Sequence, residues 1–219
     1  MLTKKIKTMK KIFISLMVVS GLLLTSCEES TDGVSKVTAY ANLTMNGDAL
    51  VVLTQGETYT EAGVEAEANG QVLPVTIDGT VDTSKPTVYK LRYSAVNSDG
   101  FPASLTRTVI VLSNKPSTID LTGTFFRSGN ANNVTRVGSG DRHYFTDNAT
   151  GYTVGDPNVL KMEFYNIDDK QVYAPFKADA SDTGIDAESN IGTITDKNNW
   201  KWSITATAFF GTADRIFKR

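Results

Sequence analysis

Residues 88–96 read VYKLRYSAV, and this stretch decides the fold class of the chain. Every second side chain from Tyr89 to Ala95 is aromatic or aliphatic, and those between are charged or small and polar, so the apolar set shares one face of a strand. Residues 105–112, LTRTVIVL, also divide into two alternating sets. Residues 97–100, NSDG, lie between the two runs and suit a turn with positive φ at Gly100. The pattern predicts two strands joined by a tight turn.

Similar short runs, rich in β-branched and aromatic residues and separated by Gly, Asn, Asp and Pro, recur on both sides. In the first half they fall at 36–44, 49–54, 63–68, 72–77, 87–96 and 104–112. In the second half they fall at 122–127, 133–137, 142–146, 159–166, 171–176, 191–195, 200–208 and 213–218. No helical pattern stands out between them. We therefore expect an all-β protein.

The best candidate linker is SNKPS at 113–117, where a proline lies among small polar residues. It divides the chain into two predicted domains. Residues 36–114 have the strand spacing of a two-sheet, Ig-like sandwich. Residues 115–219 carry enough strands for a second small domain, either a β-barrel or a β-sandwich.

Residues 56–66, GETYTEAGVEA, resemble the signature G-x-x-Y-x-D/E-x-G-V-x-A of a bacterial Ig-like domain. That domain occurs in surface proteins and in an insecticidal crystal toxin. The resemblance continues through VDTSKP at 81–86, the strand at 89–93, the turn at 97–100 and RTVIV at 107–111, so it spans about residues 36–113. Asn97 departs from the aspartate that is frequent in the family, which puts one turn hydrogen bond in doubt. The resemblance implies a spacer or adhesion role.

Residues 120–125, DLTGTF, resemble the first strand of the C-terminal domain in surface lipoproteins of gut anaerobes. The later runs IGTI at 191–194 and WKWSIT at 200–205 are similar to the paired strands that end those proteins. Several members of that group lie near polysaccharide-uptake systems. This resemblance implies a role beside such a system, with outer-membrane transporter proteins as partners.

Residues 1–26 form a predicted signal peptide. Five lysines precede thirteen nearly all-apolar residues, 12–24, which are too few to span a bilayer as a helix. Residues 24–27, LTSC, resemble the lipobox of bacterial lipoproteins, which implies that Cys27 carries the lipid. Cys27 is the single cysteine, so no internal disulfide competes for it. An ordinary signal peptide with an incidental cysteine is the alternative, and translation can begin at Met1 or Met9.

The segment 27–35 is a polar, acidic tether that resembles the surface-export signal of lipoproteins from Gram-negative gut anaerobes; the alternative is a plain linker. Without the leader's five lysines, 17 basic and 24 acidic residues remain, a net charge of −7. Nucleic-acid binding depends on cations that neutralise phosphates, so this balance argues against it. We expect a lipid-anchored protein of the outer membrane, facing the cell surface.

Residues for catalysis or metal binding are scarce. His143 is the single histidine, and zinc sites use several His or Cys ligands. The acidic run 179–188 lacks the ligand spacing of an EF-hand, so a solvated loop is favoured over a calcium loop. The carboxylate pairs Asp168/Asp169 and Asp186/Glu188 lie in turn-like sequence rather than in a predicted cleft. We expect no enzyme activity, metal or cofactor.

Aromatic residues provide the one predicted site. Sugars stack on aromatic rings while amides and charged groups bond their hydroxyls. Trp200 and Trp202 face the same side of a predicted strand; Trp202 is in register with Ile204 and is expected in the core. Trp200 lies beside the polar loop 196–199 and is the candidate for exposure, and the alternative is that both tryptophans lie in the core. The predicted ligand-binding residues are Trp200, Asn198, Asn199, Tyr152 and Tyr173.

Two functions remain open. The first is non-catalytic glycan binding in support of polysaccharide uptake. The second is a structural or protein-interaction lipoprotein, a spacer or docking module without a small-molecule ligand. An exposed aromatic platform with polar neighbours favours the first, and an apolar patch without them favours the second.

Overall fold

The computed structural model describes residues 38–206 and 213–219. Within these ranges the chain forms strands and turns and no helix, which confirms the all-β prediction. In the same ranges there is accordingly no helix with the length and apolar character needed to cross a membrane. The predicted signal peptide 1–26, Cys27 and the tether 27–35 lie outside the described residues.

The first half contains two facing sheets. Its strands are β1 Asn42–Met45, β2 Leu50–Thr54, β3 Val64–Ala68, β4 Gln71–Val72, β5 Thr76–Asp78, β6 Thr87–Val96 and β7 Pro102–Leu112. One sheet has the order β1-β3-β4 and the other β2-β7-β6-β5, in which only β2 and β7 run parallel. The predicted strand 72–77 is two strands, because Pro74 cannot donate to a ladder.

The turn between β6 and β7 forms where the sequence predicted it, with Gly100 at φ 86°. Asn97 Oδ1 accepts the backbone N–H groups of Asp99 and Phe101 at 3.1 and 2.7 Å. Its Nδ2 donates to the carbonyl oxygen of Ala39 at 2.8 Å. The asparagine therefore makes the turn bonds expected of an aspartate, and it also ties the incoming chain to the turn.

Arg107 lies in the core of the sandwich with a relative exposure of 2%. Its guanidinium donates to Glu61 and to the Asn46 carbonyl, and also to the Tyr93 hydroxyl at 3.1 Å and the Asp48 carbonyl at 3.0 Å. A buried charge is tolerated when it is paired and its donors are used, as they are here. These bonds tie the loops around β2 and β3 to the centre of β7.

Glu61 is the charged partner in this network and belongs to the sequence signature. It accepts the Gly63 N–H at 2.7 Å as well as the Tyr59 hydroxyl. Burial opposes its charge, but hydrogen bonds from Tyr59, Tyr93, Gly63 and Arg107 outweigh that effect and lower its pKa from 4.5 to about 2. The motif therefore has a structural role, since it neutralises the buried arginine.

The second half forms a closed barrel, which decides between the two alternatives left open. The strands are β8 Gly123–Arg127, β9 Asn130–Arg136, β10 His143–Thr146, β11 Met162–Asn166, β12 Gln171–Tyr173, β13 Ala187–Ser189, β14 Gly192–Asp196, β15 Asn199–Trp202, β16 Ile204–Ala206 and β17 Arg215–Lys218. The barrel order is β10-β11-β12-β14-β15-β17-β8-β9, and β13 pairs with β16 in a separate ribbon. No strand was predicted at β13, and the described part of the predicted strand 200–208 forms two shorter strands, with residues 207 and 208 outside the described residues.

Aromatic rings fill the barrel. Trp200 stacks on Phe217 and Phe164 with centroids 4.5 and 5.5 Å apart, and Trp202 meets it edge-on at 4.7 Å. The backbone of β14 can approach β15 closely at this point because residue 192 is a glycine, which leaves room for these rings. A Cβ at this position would come within 2.3 Å of the Lys201 carbonyl oxygen.

Strand β7 is buried on both faces from Arg107 to Val111. Val109 and Val111 point into the sandwich with Arg107, whereas Ile110 packs against the barrel residues Tyr165, Ile167 and Tyr173. Val88 and Leu112 flank this contact. The two halves therefore share one apolar junction, and residues 39–219 form one compact unit.

The predicted linker is fixed to the barrel by Asp169. Its carboxylate accepts the Ser117 hydroxyl at 2.6 Å, the Thr118 N–H at 2.7 Å and Arg142 at 3.0 Å. Burial opposes its charge, but hydrogen bonds from Ser117, Thr118 and Asn166 outweigh it and lower its pKa to about 2. Arg142 also donates to the Lys115 carbonyl at 2.9 Å.

We predict that Glu61→Gln lowers the free energy of unfolding at pH 7 by about 2–4 kcal/mol, because the buried Arg107 loses its charged partner. The folded-state pKa of Glu61 is depressed, so its contribution is present above about pH 4.5 and is lost as the pH falls toward 2. Urea denaturation of the variant should therefore show less loss of stability between pH 5 and 2.

Glu65→Gln is the matched control, since Glu65 is exposed on neighbouring β3. It should change stability by less than about 0.5 kcal/mol. Equal effects of the two substitutions at pH 7 would contradict the role given to Glu61.

Candidate ligand groove

A groove of about 300 Å³ opens at the junction, beside the apolar contact of β7 with the barrel. Ala49, Leu50, Lys90, Thr106 and Thr108 line it from the sandwich, and Pro175, Phe176 and Glu188 from the barrel. The sandwich residues are neighbours because Thr108 is paired with Leu50 on one side and Lys90 on the other. The barrel residues follow β12 and lie in the ribbon strand β13.

The charged centre of the groove is an ion pair between Lys90 and Glu188. The side chain of Lys90 is 46% exposed and that of Glu188 is 22% exposed, so both can meet a ligand. The Tyr173 hydroxyl donates to Glu188 from below, and the Lys90 Nζ lies 6.0 Å from the Tyr173 ring centroid. Burial, and then the bond to Glu188, raise the pKa of Tyr173 above its ordinary value.

The apolar part of the groove is Phe176, whose side chain is 62% exposed, with Leu50 opposite. The Thr106 side chain is exposed on the same face of the sheet as Lys90. An exposed ring beside a hydroxyl and a charged pair offers both surfaces that a sugar presents, an apolar face and a rim of hydroxyls. The groove can bind such a ligand without any covalent step.

The predicted Trp200 platform is wrong. Trp200 is 1% exposed and points into the barrel, where Phe125, Phe164 and Phe217 surround it. Closing the sheet turns alternate residues of β15 inward, and large rings in that position fill the core. Trp202 is also 1% exposed, as predicted.

The other predicted ligand residues do not converge on one site. Asn198 and Asn199 lie at the turn between β14 and β15, where Asn198 bonds Arg219 and Asn199 bonds Asp196. Tyr152 is half-buried, with the Arg215 guanidinium 5.5 Å from its ring centroid. Only Tyr173 lies at the groove, and it is 2% exposed, so it supports Glu188 from below.

Sequence reasoning missed the residues that face the groove. Phe176 was placed inside a predicted strand 171–176, but β12 ends at Tyr173 and the chain then turns outward past Pro175. Lys90 was correctly placed on the outer face of its strand, yet nothing in the sequence indicated that Glu188 faces it. An aromatic directly after a proline at a strand end was the one available signal.

The carboxylates considered for catalysis each have a structural partner. Asp168 accepts backbone N–H groups of Lys170 and Gln171, and Asp169 fixes the linker. Asp186 accepts the Asp179 N–H at 3.0 Å. Across residues 38–206 and 213–219, no group of three or more His, Cys, Asp or Glu side chains is arranged to hold a metal ion.

His143 begins β10 and is half-buried. Its ring stacks on Tyr165 with centroids 4.4 Å apart, and its Nε2 lies 2.8 Å from the Glu163 carboxylate. His143 is not one of the residues that line the groove.

Residues 43–111 match the family model of the Ig-like domain of bacterial surface proteins. The Ig-like prediction for the first half is confirmed. No curated protein matches the chain. Among solved structures, a lipoprotein from Bacteroides thetaiotaomicron is 24% identical, with a TM-score of 0.37, and the match covers 82% of this chain and all of that one.

A second solved structure contains the M60 catalytic domain and two CBM51 domains of Clostridium perfringens ZmpB. It is 11% identical with a TM-score of 0.30, and the match covers 84% of this chain and 21% of the other. Neither similarity locates a binding site in this chain.

The two tryptophans provide a test of the barrel interior. Trp202 Nε1 donates to the Ala149 carbonyl at 3.0 Å, whereas Trp200 Nε1 is buried with no hydrogen-bond partner among the described residues. We predict that Trp202→Phe lowers the free energy of unfolding by about 1–3 kcal/mol more than Trp200→Phe, because only Trp202→Phe leaves a buried carbonyl unpaired. Urea denaturation followed by circular dichroism measures both, and equal losses would contradict the assignment.

Proposed function

We propose that this protein is a lipid-anchored lipoprotein of the bacterial cell surface that binds an oligo- or polysaccharide in the junction groove without cleaving it. The observation that carries the proposal is the exposed Phe176 ring beside the Lys90–Glu188 pair. Phe176 and Glu188 belong to the barrel and Lys90 to the sandwich, so the groove is formed by both halves together.

The size and chemistry of the groove support a short stretch of sugar. A volume of about 300 Å³ is at the small end of ligand sites and suits about one or two sugar rings, with the rest of a polymer extending into solvent. The Phe176 face accepts the apolar side of a ring. Lys90 donates to hydroxyls, and Glu188 accepts from them.

The anchor and location rest on the sequence. The basic and apolar leader and the LTSC ending support lipidation of Cys27, and the acidic tether supports display on the outside of the outer membrane. The match of residues 43–111 to a domain of bacterial surface proteins supports the same location. A bound glycan would then pass to an outer-membrane transporter, which is the protein partner we propose.

Binding without hydrolysis is proposed because Glu188 is the single carboxylate lining the groove within the described part of the chain. Glycosidases generally use two carboxylates across the scissile bond. The Glu188 carboxylate is also bonded by both Lys90 and Tyr173, so it is already held within the protein.

A protein-docking role is the alternative, and one observation favours it. Leu50 and Val52 are exposed on the same face of β2, at 36% and 38%, and β2 is an edge strand of its sheet. Leu50 lines the groove with Phe176, and Val52 continues this apolar face along β2. Edge strands of this kind can add a strand from a partner.

We predict that Phe176→Ala weakens glycan binding about five- to tenfold, because the stacking surface is lost while the ion pair remains. The measurement is isothermal titration of residues 36–219 with α-mannan, xylan, β-glucan and chondroitin sulfate. Phe126→Ala is the matched control, since Phe126 is also an exposed phenylalanine on the barrel, at 49% against 62% for Phe176.

Wild-type binding to one glycan that survives Phe126→Ala but not Phe176→Ala supports the groove. Binding that is insensitive to Phe176→Ala, or no binding to any of the four, would overturn the glycan assignment. In the second case, capture of an outer-membrane transporter that fails with Leu50→Asp would favour the docking alternative.

A further inference from the structure

Four large apolar side chains are exposed at one end of the sandwich. Tyr40 is 66% exposed, Val72 88%, Val96 51% and Phe101 46%. The rings of Tyr40 and Phe101 pack on each other with centroids 5.6 Å apart. We call these four residues the apolar tip.

Strand register places the members of the apolar tip together. Strand β6 ends at Val96, and the turn to β7 contains Phe101. The bond from Asn97 to Ala39 brings Tyr40 beside that turn. Val72 reaches the same end because it pairs with Glu67, which in turn pairs with Asn42 near the start of β1.

The apolar tip lies at the start of β7, where Phe101 comes five residues before Thr106, the first groove-lining residue on that strand. The linker leaves the sandwich after Leu112, at the opposite end of β7. Eleven residues of strand separate the two ends of β7, about 35 Å. The tip is therefore at the end of the sandwich opposite to the linker that leads into the barrel.

The chain also enters the sandwich at this end. Thr38 is the first described residue, and Cys27 precedes it by eleven positions. Even fully extended, that span reaches about 38 Å. A lipid on Cys27 therefore keeps Thr38, where the chain enters this end of the sandwich, within about 38 Å of the bilayer surface.

We infer that the apolar tip inserts into the headgroup region of the leaflet that holds the lipid on Cys27. This inference rests on the proposed lipid anchor. Tyrosine and phenylalanine beside a tether are suited to the membrane interface, where an apolar ring meets lipid and a polar edge meets water. Glu67 and Asp99 lie at the same end and are acidic, so the contact favours zwitterionic over anionic headgroups.

Insertion fixes the orientation of the molecule. With the apolar tip at the bilayer, β7 runs outward and carries the groove and the barrel away from the surface.

The test couples residues 27–219 through Cys27, the single cysteine, to a maleimide lipid in phosphatidylcholine–phosphatidylethanolamine vesicles. Tyr40→Trp reports on the tip, while Trp200 and Trp202 give a constant background because both are buried. On coupling, the added tryptophan should shift to shorter wavelength and be quenched by brominated phosphatidylcholine. Phe101→Ala in the same background should reduce both effects.

Phe126→Trp, on the barrel exterior, is the control and should keep its water-exposed emission after coupling. A Tyr40→Trp emission that stays water-exposed on coupled vesicles would overturn the inference. So would a shift that appears without vesicles as protein concentration rises, because a second copy would then cover the tip. Chemical coupling bypasses lipidation in the cell, so mass spectrometry of Cys27 in the native protein tests the anchor separately.

Discussion

The outer face of β7 packs against the barrel through Ile110 while its inner face carries Arg107 and Val109 into the sandwich. A strand buried on both faces cannot move with respect to either half without exposing apolar surface. At about 25 cal/mol per Å², even a modest apolar junction resists separation of the halves. The position of the barrel on the sandwich, and hence the groove, depends on this one strand.

Two buried ionic networks secure the middle of that strand and the segment that follows it. Arg107 and Glu61 fix the loops around it, and Asp169 with Arg142 fixes the segment that follows it. Pairing makes such charges tolerable, and their hydrogen bonds make the geometry specific. The groove lies beside this fixed junction, where Lys90 of the sandwich and Glu188 of the barrel meet.

Much of the fold could be predicted from the sequence, and the site could not. The alternation of apolar and polar residues predicted β6 and the inner face of β7. The NSDG sequence predicted the turn in which Gly100 has a positive φ. Alternation does not show that Ile110 is buried by a second domain, because an apolar residue on an outer face looks the same in either case. The prediction that Trp200 binds a ligand failed because closure of the barrel turns its side chain inward. Closure depends on all eight strands together and cannot be read from one of them. Phe176 and Glu188 become neighbours of Lys90 only through tertiary packing.

The rigid junction is tested most directly by unfolding residues 36–219 in urea with two probes. Tryptophan emission reports on the barrel alone, because Trp200 and Trp202 are the two tryptophans of the chain. Hydrogen exchange of the amides of residues 107–111 reports on β7. Coincident midpoints are predicted, since neither half can release β7 alone. Loss of β7 protection while the barrel emission is unchanged would contradict the account.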